Sequence, residues 1–164
     1  MPTLAGFISW IRAVMGVSTT VLPDDSPVIA MAFNVALAIV NPALYCVGIP
    51  NTGSPGTTIY ALATYNLGGD NLINYAQDLP DAAPVQGSDP PLPFFQWSRQ
   101  RYDTLGFVSG VISSSHDEST GNTMVVQEAA KNFTLGQIQN LKTPWGRQYL
   151  ALAQSWGPTT FGLS

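Results

Sequence analysis

Apolar residues recur at helical spacing near the N-terminus. Positions 4, 7, 8, 11, 14 and 15 are apolar, which predicts a helix from Leu4 to about Met15, and Gly16 is a natural C-terminal stop. Ser26 followed by Pro27 is typical of a helix start, because serine caps free amide groups and proline suits the first turn. The second helix is therefore predicted from Pro27 to about Val40.

The same spacing predicts helical segments further along the chain. One covers Thr58 to Gln77 and is interrupted by Gly68-Gly69, a pair that marks a kink, a break or a close helix crossing. Another begins at Phe94 and is expected to give way to a strand near Gly110. A short helix is predicted from Thr134 to Leu141, and a final one from Pro144 to Trp156.

Irregular segments separate these helices. Residues 79–93 contain five prolines, which predicts an extended, semi-rigid connector. The apolar runs VSGVISSS and TMVVQ flank the polar stretch HDESTGN, a pattern that predicts a small β-hairpin. Gly157-Pro158 ends the last helix and leaves 158–164 as an extended C-terminal tail. The predicted fold is mainly α: one domain, 1–164, with a bundle of about five helices, a hairpin, and extended loop and C-terminal arms.

The helix from Pro27 lies in a stretch without charge. No Asp, Glu, Lys or Arg occurs between Asp25 and Asp70, and Val28–Val40 is apolar except for Asn34. This run is shorter than the roughly 20 apolar residues that a membrane-spanning helix needs. An all-round apolar helix of this length indicates the central helix of a core, or one shared between a core and a subunit interface.

Composition favours a subunit of an assembly. The 164-residue chain is 10% charged, against about 25% in an average soluble domain, which favours a surface largely covered by neighbours. Ten Asp and Glu against six Lys and Arg argue against an autonomous nucleic-acid binder, and a mean hydropathy of +0.13 argues against a disordered chain. The N-terminus lacks a basic region, so we expect no signal peptide.

Few residues carry candidate chemistry. Cys46 is the single cysteine and His116 the single histidine, too few for an internal disulfide or an ordinary zinc site, and we expect no metal and no cofactor. Ser115 and His116 could belong to a hydrolase, but adjacent residues on an extended segment project to opposite faces and do not form a triad. The stretch 113–119 is better explained as a polar hairpin tip, so we predict no catalytic residue.

Aromatic and arginine side chains concentrate in the second half of the chain. Arg99, Arg101 and Arg147 are scattered beside aromatics and are expected to form ion pairs between helices or between subunits rather than phosphate contacts. Trp, Tyr and Arg are enriched at the centres of protein interfaces. The candidate interface residues are Trp145, Arg147, Trp156, Phe161 and Leu163.

Three stretches resemble the head–tail adaptor (neck or connector) proteins of tailed bacteriophages. They are SWIRAVMGVSTTVLPDDSPVIAMAFNVALAIVN, IYALATYNLGGDNLINYAQD and LKTPWGRQYLALAQSWG. The resemblance implies a virion structural protein, not an enzyme, that is assembled in the host cytoplasm and located at the head–tail junction. Such proteins form rings, commonly twelve-fold, that bind the portal protein, receive tail or neck proteins and line the DNA channel.

Composition is compatible with what the resemblance implies. A channel wall should not hold DNA tightly, and an acidic pI near 4.5 suits a wall past which genomic DNA slides without specific binding. Residues 79–93 and 158–164 are the expected docking arms. Two alternatives remain: another virion ring protein, such as a tail terminator or collar, and a small membrane-associated protein.

Overall fold

The computed structural model describes residues 1–46, 58–105, 114–116, 121–123 and 135–156, and more than half of these residues are helical. A π-helical turn, Ile11–Met15, continues the first helix, and a 3₁₀ turn, Pro42–Cys46, follows the second. The mainly helical fold class is therefore confirmed. The α-helices are α1 (Leu4–Trp10), α2 (Pro27–Ile39), α3 (Ile59–Tyr75), α4 (Phe94–Arg101), α5 (Leu135–Asn140) and α6 (Pro144–Trp156).

The central element is α3, which is buried nearly all round. Helices α2 and α6 both pack against it. Gly68 faces α2, since a methyl group there would lie 3.7 Å from the Ala32 carbonyl oxygen, whereas Asp70 faces Thr143 at the start of α6. Positions 68 and 70 are two residues apart, so they point in directions about 200° apart around the axis of α3. Helix α2 and the start of α6 therefore lie on opposite sides of α3.

Of the two alternatives for Pro27–Val40, the first, the central helix of a core, is not what the structure shows. One face of α2 packs into the core through Ile29, Ala32, Phe33 and Ala36, but its opposite face is exposed. The reason is topological: α3 receives partners on two sides, whereas α2 lies at the edge and packs against α3 and α1. The alternative, a helix shared with a subunit interface, stays a prediction.

The glycine pair marks a close helix crossing. A methyl group on Gly68 would lie 2.9 Å from the Phe7 ring, and one on Gly69 would lie 2.9 Å from the Trp10 ring. The N-terminal helix therefore approaches α3 where α3 has no side chains. Phe7, Trp10, Phe33 and Tyr65 surround the crossing as a cluster of aromatic rings, with centroids 5.7 to 6.5 Å apart in the contacting pairs.

Helix α4 is shorter than the sequence predicted. It ends at Arg101 because Asp103 has a left-handed φ of 49°, and the Thr104 amide donates back to the Arg99 carbonyl at 3.0 Å. This is the Schellman arrangement that closes a helix, here with aspartate where glycine is usual. The predicted continuation beyond residue 105 lies outside the described residues.

The proline-rich segment 79–93 is a closed loop, not the extended connector that was predicted. The Asp78 carboxylate at its start accepts hydrogen bonds from the Phe95 and Gln96 amides at 2.8 and 2.9 Å. Within the loop, the Val85 amide donates to the Leu92 carbonyl at 2.8 Å. The carboxylate caps the free N-terminus of α4, so the chain leaves α3 and returns to nearly the same place.

Two three-residue strands lie where the hairpin was predicted. Strands β1 (Ser114–His116) and β2 (Gly121–Thr123) pair antiparallel, with Ser114 opposite Thr123 and His116 opposite Gly121. Most of the apolar runs VSGVISSS and TMVVQ lie outside the described residues, so the hairpin as a unit stays a prediction.

Candidate functional site

The structure does not bring the predicted interface residues together as one described site. Trp145 is half-buried and packs against the core, with an edge-to-face contact to Tyr102 at 5.7 Å between ring centroids. Arg147 is exposed, and Trp156 is the last residue of α6. Phe161 and Leu163 lie outside the described residues. Trp145 is therefore largely a packing residue of its own chain.

Basic side chains of the described part of the chain bind backbone carbonyls. Arg99 donates to the carbonyls of Ile73 and Ala76, at 3.1 and 2.6 Å, and so caps the C-terminus of α3. Lys142 donates to the Asp103 carbonyl at 2.6 Å. Cations near the end of a helix satisfy its free carbonyls and its dipole. Within the chain, Arg99 therefore bonds carbonyl groups and not the carboxylate that an ion pair between helices would need.

Arg101 and Arg147 also make contacts other than the expected ion pairs. The Arg101 guanidinium lies 4.9 Å from the centre of the Trp97 ring, in a cation–π geometry. Arg147 donates to the Leu141 carbonyl at 3.4 Å. Both are contacts within the chain and neither is an ion pair, whereas the expectation of ion pairs between subunits stays a prediction.

Arg12 forms an ion pair and fixes a loop. Its guanidinium pairs with Asp24 and donates to the carbonyls of Val17, Ser18 and Leu22 at 2.6 to 3.0 Å. One side chain thus fastens residues 17–24 to the end of the first helix. The planar guanidinium, with its five donors, suits this multiple contact.

A carboxyl group is buried between α3 and α6. Asp70 is 1% exposed and accepts a hydrogen bond from the Thr143 hydroxyl. The Thr143 oxygen in turn accepts from the Gly146 amide at 2.9 Å, which caps the start of α6. The Asn74 side-chain amide donates to the Asp70 backbone carbonyl at 3.0 Å. The Asp70–Thr143 bond therefore links α3 to the residue that caps the start of α6.

Burial changes the acidity of this group. Removal from water raises the pKa of Asp70 from 3.8 to about 6, and the hydrogen bond from Thr143 opposes the rise. A carboxyl group with this pKa could exchange a proton near neutral pH. However, the Asp70 side chain is only 1% exposed, so a substrate at the surface of the described residues would not reach it. We assign it to packing between α3 and α6.

The exposed side of α2 is the candidate interaction surface. We name it the α2 outer face. It carries no charge, Met31 is 45% exposed and Ile39 is 58% exposed. Apolar residues scattered singly on a surface are ordinary, but a whole helix face of this kind indicates a binding surface. Its members are Pro27, Met31, Asn34, Leu37, Ala38 and Ile39.

Sequence reasoning gave α2 as a helix that a subunit interface could share, with no interface residue named on it, and it missed Asp70. The sequence did contain a sign that Asp70 is buried. Asp70 is the first charged residue after the charge-free stretch, and it lies three residues after Leu67 and two before Leu72, both of which are core residues. A charged residue at a helix position that faces the core needs a partner, and Thr143 was interpreted only as a helix cap.

The described residues hold neither a metal cluster nor a membrane-spanning helix. Among residues 1–46, 58–105 and the shorter described segments, no group of three His, Cys, Asp or Glu is placed to hold a metal ion. The same part of the chain contains no helix with the length and hydropathy needed to cross a bilayer. Comparisons with protein-family models, with characterised proteins and with solved structures gave no match.

Proposed function

We propose that this protein is a virion structural protein that forms a ring at the head–tail junction of a tailed bacteriophage. In this role it joins the portal to the tail and lines the DNA channel, and it performs no catalysis. The resemblance of three sequence stretches to head–tail adaptors motivates the proposal. One structural observation carries it: the α2 outer face is an uncharged apolar surface on an otherwise well-packed helix.

This observation favours a role in assembly. In a ring, each subunit has two flanks against its neighbours, and burying an apolar face there removes it from water. Met31, Leu37 and Ile39 are large enough to contribute substantially to such a contact. An exposed face of this kind is a solubility liability for a monomer, and an assembly turns it into binding energy.

The described basic residues are compatible with DNA passing freely. Binding to phosphate requires available Lys or Arg, and each neutralised phosphate adds affinity. Arg12, Arg99 and Lys142 are already bonded to carbonyl groups of their own chain. Arg101 and Arg147 are exposed, but so are Asp25, Asp81 and Asp89, and exposed carboxylates outnumber exposed basic groups among the described residues.

Mass measurement and imaging test the proposal. Native mass spectrometry and negative-stain imaging of the purified chain should show a closed ring of one stoichiometry. The ring should co-sediment with heads that carry portal protein, and heads lacking portal serve as the matched control. A monomer, or a ring that binds both kinds of head equally, contradicts the proposal.

The same surface would serve two other functions, which the experiment separates. A tail terminator or collar would form a ring that binds isolated tails and leaves portal-bearing heads unbound. A membrane-associated protein would place the α2 outer face on lipid, and the chain would then sediment with neutral phosphatidylcholine vesicles. Either result replaces the head–tail adaptor proposal.

A further inference from the structure

Helices α5 and α6 pack closely on each other. A methyl group on Gly146 would lie 2.8 Å from the Asn140 carbonyl carbon, so no side chain fits between the two backbones at this point. We name the two helices and the turn that joins them the α5–α6 pair. Because the backbones are in direct contact, we expect the pair to move against the rest of the chain as one unit.

Polar contacts attach the α5–α6 pair to the turn that ends α4. The Gln139 side chain donates to the Thr104 carbonyl at 3.0 Å, and Lys142 donates to the Asp103 carbonyl at 2.6 Å. The Thr104 hydroxyl is buried and has no hydrogen-bond partner among the described residues. An unpaired buried hydroxyl group costs free energy, so this attachment is weaker than one in which every polar atom is bonded.

The two sides of α3 are packed by different kinds of side chain. Helix α2 contributes apolar groups to the core, namely Ile29, Ala32, Phe33 and Ala36. At the start of α6, by contrast, the buried Asp70 carboxyl group meets the Thr143 hydroxyl. A buried carboxyl group is tolerated when it is neutral and hydrogen-bonded, and it opposes packing when it is charged. The seating of α6 on α3 therefore depends on the charge of one group.

The described neighbours of Asp70 do not offset its charge. Its carboxylate is bonded by the Thr143 hydroxyl and, at 3.5 Å, by the Asn74 amide, and both groups are neutral. Helix α2 and the turn Pro42–Cys46 carry no charged residue. Burial raises the pKa of Tyr149 on α6 above 10.0, so this side chain stays uncharged near neutral pH. The described basic groups on the other elements around α3 make contacts elsewhere in the chain: Arg12, Arg99, Arg101, Lys142 and Arg147.

We propose that the Asp70–Thr143 contact is a pH-sensitive switch, which holds the α5–α6 pair on α3 while the carboxyl group is protonated and weakens when that group ionises. Opening of the pair returns the carboxyl group to water, where its pKa is 3.8, whereas burial raises the pKa to about 6. The open state therefore binds fewer protons and is favoured as pH rises. Thr143 also caps α6 through the Gly146 amide, so displacement of Thr143 removes this cap as well. The proposal concerns the single chain and does not rest on the proposed function.

Hydrogen–deuterium exchange of the purified chain tests the switch. After correction for intrinsic exchange, the protection of α6 amides should fall roughly tenfold between about pH 5 and about pH 8, as the ionisation of Asp70 requires. Opening of the pair alone exposes little surface, so exchange in α6 should respond weakly to low concentrations of urea. Amides on the buried face of α2 exchange by global unfolding. They should be roughly tenfold or more better protected, and their exchange should respond strongly to urea.

Three variants assign the pH dependence to Asp70. Asp70→Asn can still accept the Thr143 hydrogen bond but cannot ionise, so protection of its α6 amides should be equal at the two pH values. Thr143→Ser retains the hydroxyl group and should keep the wild-type pH dependence. Asp81→Asn, at an exposed position, is the matched control for loss of a carboxylate and should also behave like the wild type.

The outcomes that overturn the switch are specific. Equal protection and equal urea dependence in α6 and α2 would show that the α5–α6 pair opens only with the whole fold. Equal protection of α6 at both pH values, or an unchanged pH dependence in Asp70→Asn, would likewise overturn it. The wild-type measurements decide the first two points even if Asp70→Asn does not fold. None of these results depends on ring formation or on binding to heads, so the proposed function stands or fails separately.

Discussion

Asp70 shows how one residue can couple packing to pH. Its pKa in the folded chain, about 6, lies above its unfolded value of 3.8, because burial disfavours the charged form. Between these values the folded state binds more protons than the unfolded state, so stability falls as pH rises. The contribution of Asp70 to the free energy of unfolding is complete below its unfolded pKa and is lost as pH rises through about 6.

We therefore predict a pH dependence that Asp70→Asn removes. A shift from 3.8 to about 6 corresponds to about 3 kcal/mol, of which about 2 kcal/mol should be lost by the wild type between about pH 4 and pH 8. Urea unfolding at the two pH values measures it. Asparagine can still accept the Thr143 hydrogen bond, so the variant should lack this slope. Asp81→Asn, at an exposed position, should keep the wild-type slope, and equal slopes in all three chains would contradict the assignment.

Gly146 gives a second prediction at the scale of one residue. A methyl group there would overlap the Asn140 carbonyl group and lie 2.8 Å from its carbon, and this obstacle is backbone that cannot rotate away. We expect Gly146→Ala to cost about 3 kcal/mol or more in unfolding free energy. Gly16→Ala is the comparison: its φ is +71° and the space is open, so only about 1–2 kcal/mol of backbone strain is expected. Equal losses would show that the α5–α6 approach is looser than described.

At the scale of elements, α2 has two faces with opposite roles. Ala36 is fully buried in a cluster with Ala63 and Leu67 of α3, whereas Ala38, two residues later, lies on the exposed α2 outer face. Ala36→Asp should lower the unfolding free energy by roughly 3–5 kcal/mol, because it buries an unpaired charge. Ala38→Asp should change it by less than about 0.5 kcal/mol. Chemical unfolding of the two variants checks the pair, and a normally stable Ala36→Asp chain would place α2 outside the core.

Helix positions could be predicted from the sequence, and their environments only in part. Ser26-Pro27 and Thr143-Pro144 gave correct helix starts, because these signals act within one turn of backbone. Thr143 caps α6 as expected, whereas Ser26 makes no side-chain capping bond and Pro27 is what marks the start of α2. The sequence could not decide whether α2 is the central helix, because hydropathy along α2 does not reveal that α3 has partners on two sides. The end of α4 was missed because Asp103 occupies a left-handed position where a glycine would have been the recognisable signal.

The candidate site likewise has features that the sequence could indicate and features that only the folded structure shows. The charge-free stretch marked α2 as a core helix or one shared with a subunit interface, because both readings depend on residue types alone, but no candidate interface residue lay on it. The Asp70–Thr143 bond joins residues 73 positions apart, and only the packing of α6 on α3 brings them together. The closure of loop 79–93 by Asp78 was likewise hidden, because proline content describes local stiffness and not where the chain returns.

At the scale of the whole molecule, the core and the expected docking arm use different parts of the C-terminal region. Leu150 and Ala153 are buried, so α6 is anchored to the core well before its last residue, Trp156. The predicted arm, 158–164, lies outside the described residues. If this arm binds a partner, its removal should leave the folded core intact and should weaken only the binding of the subunit to that partner.

Truncation after Gly157 tests this separation. Phe161 and Leu163 could each contribute roughly 1.5–3 kcal/mol in a partner's groove, before ordering costs are subtracted. A ring repeats this modest contribution in every subunit, so its loss should abolish co-sedimentation with portal-bearing heads. The melting temperature should be nearly unchanged, because the buried residues of α6 remain. Phe161→Ala with Leu163→Ala in the full-length chain is the matched variant and should behave like the truncation. A collapsed melt would place 158–164 in the core, and unimpaired co-sedimentation would assign attachment to another part of the subunit.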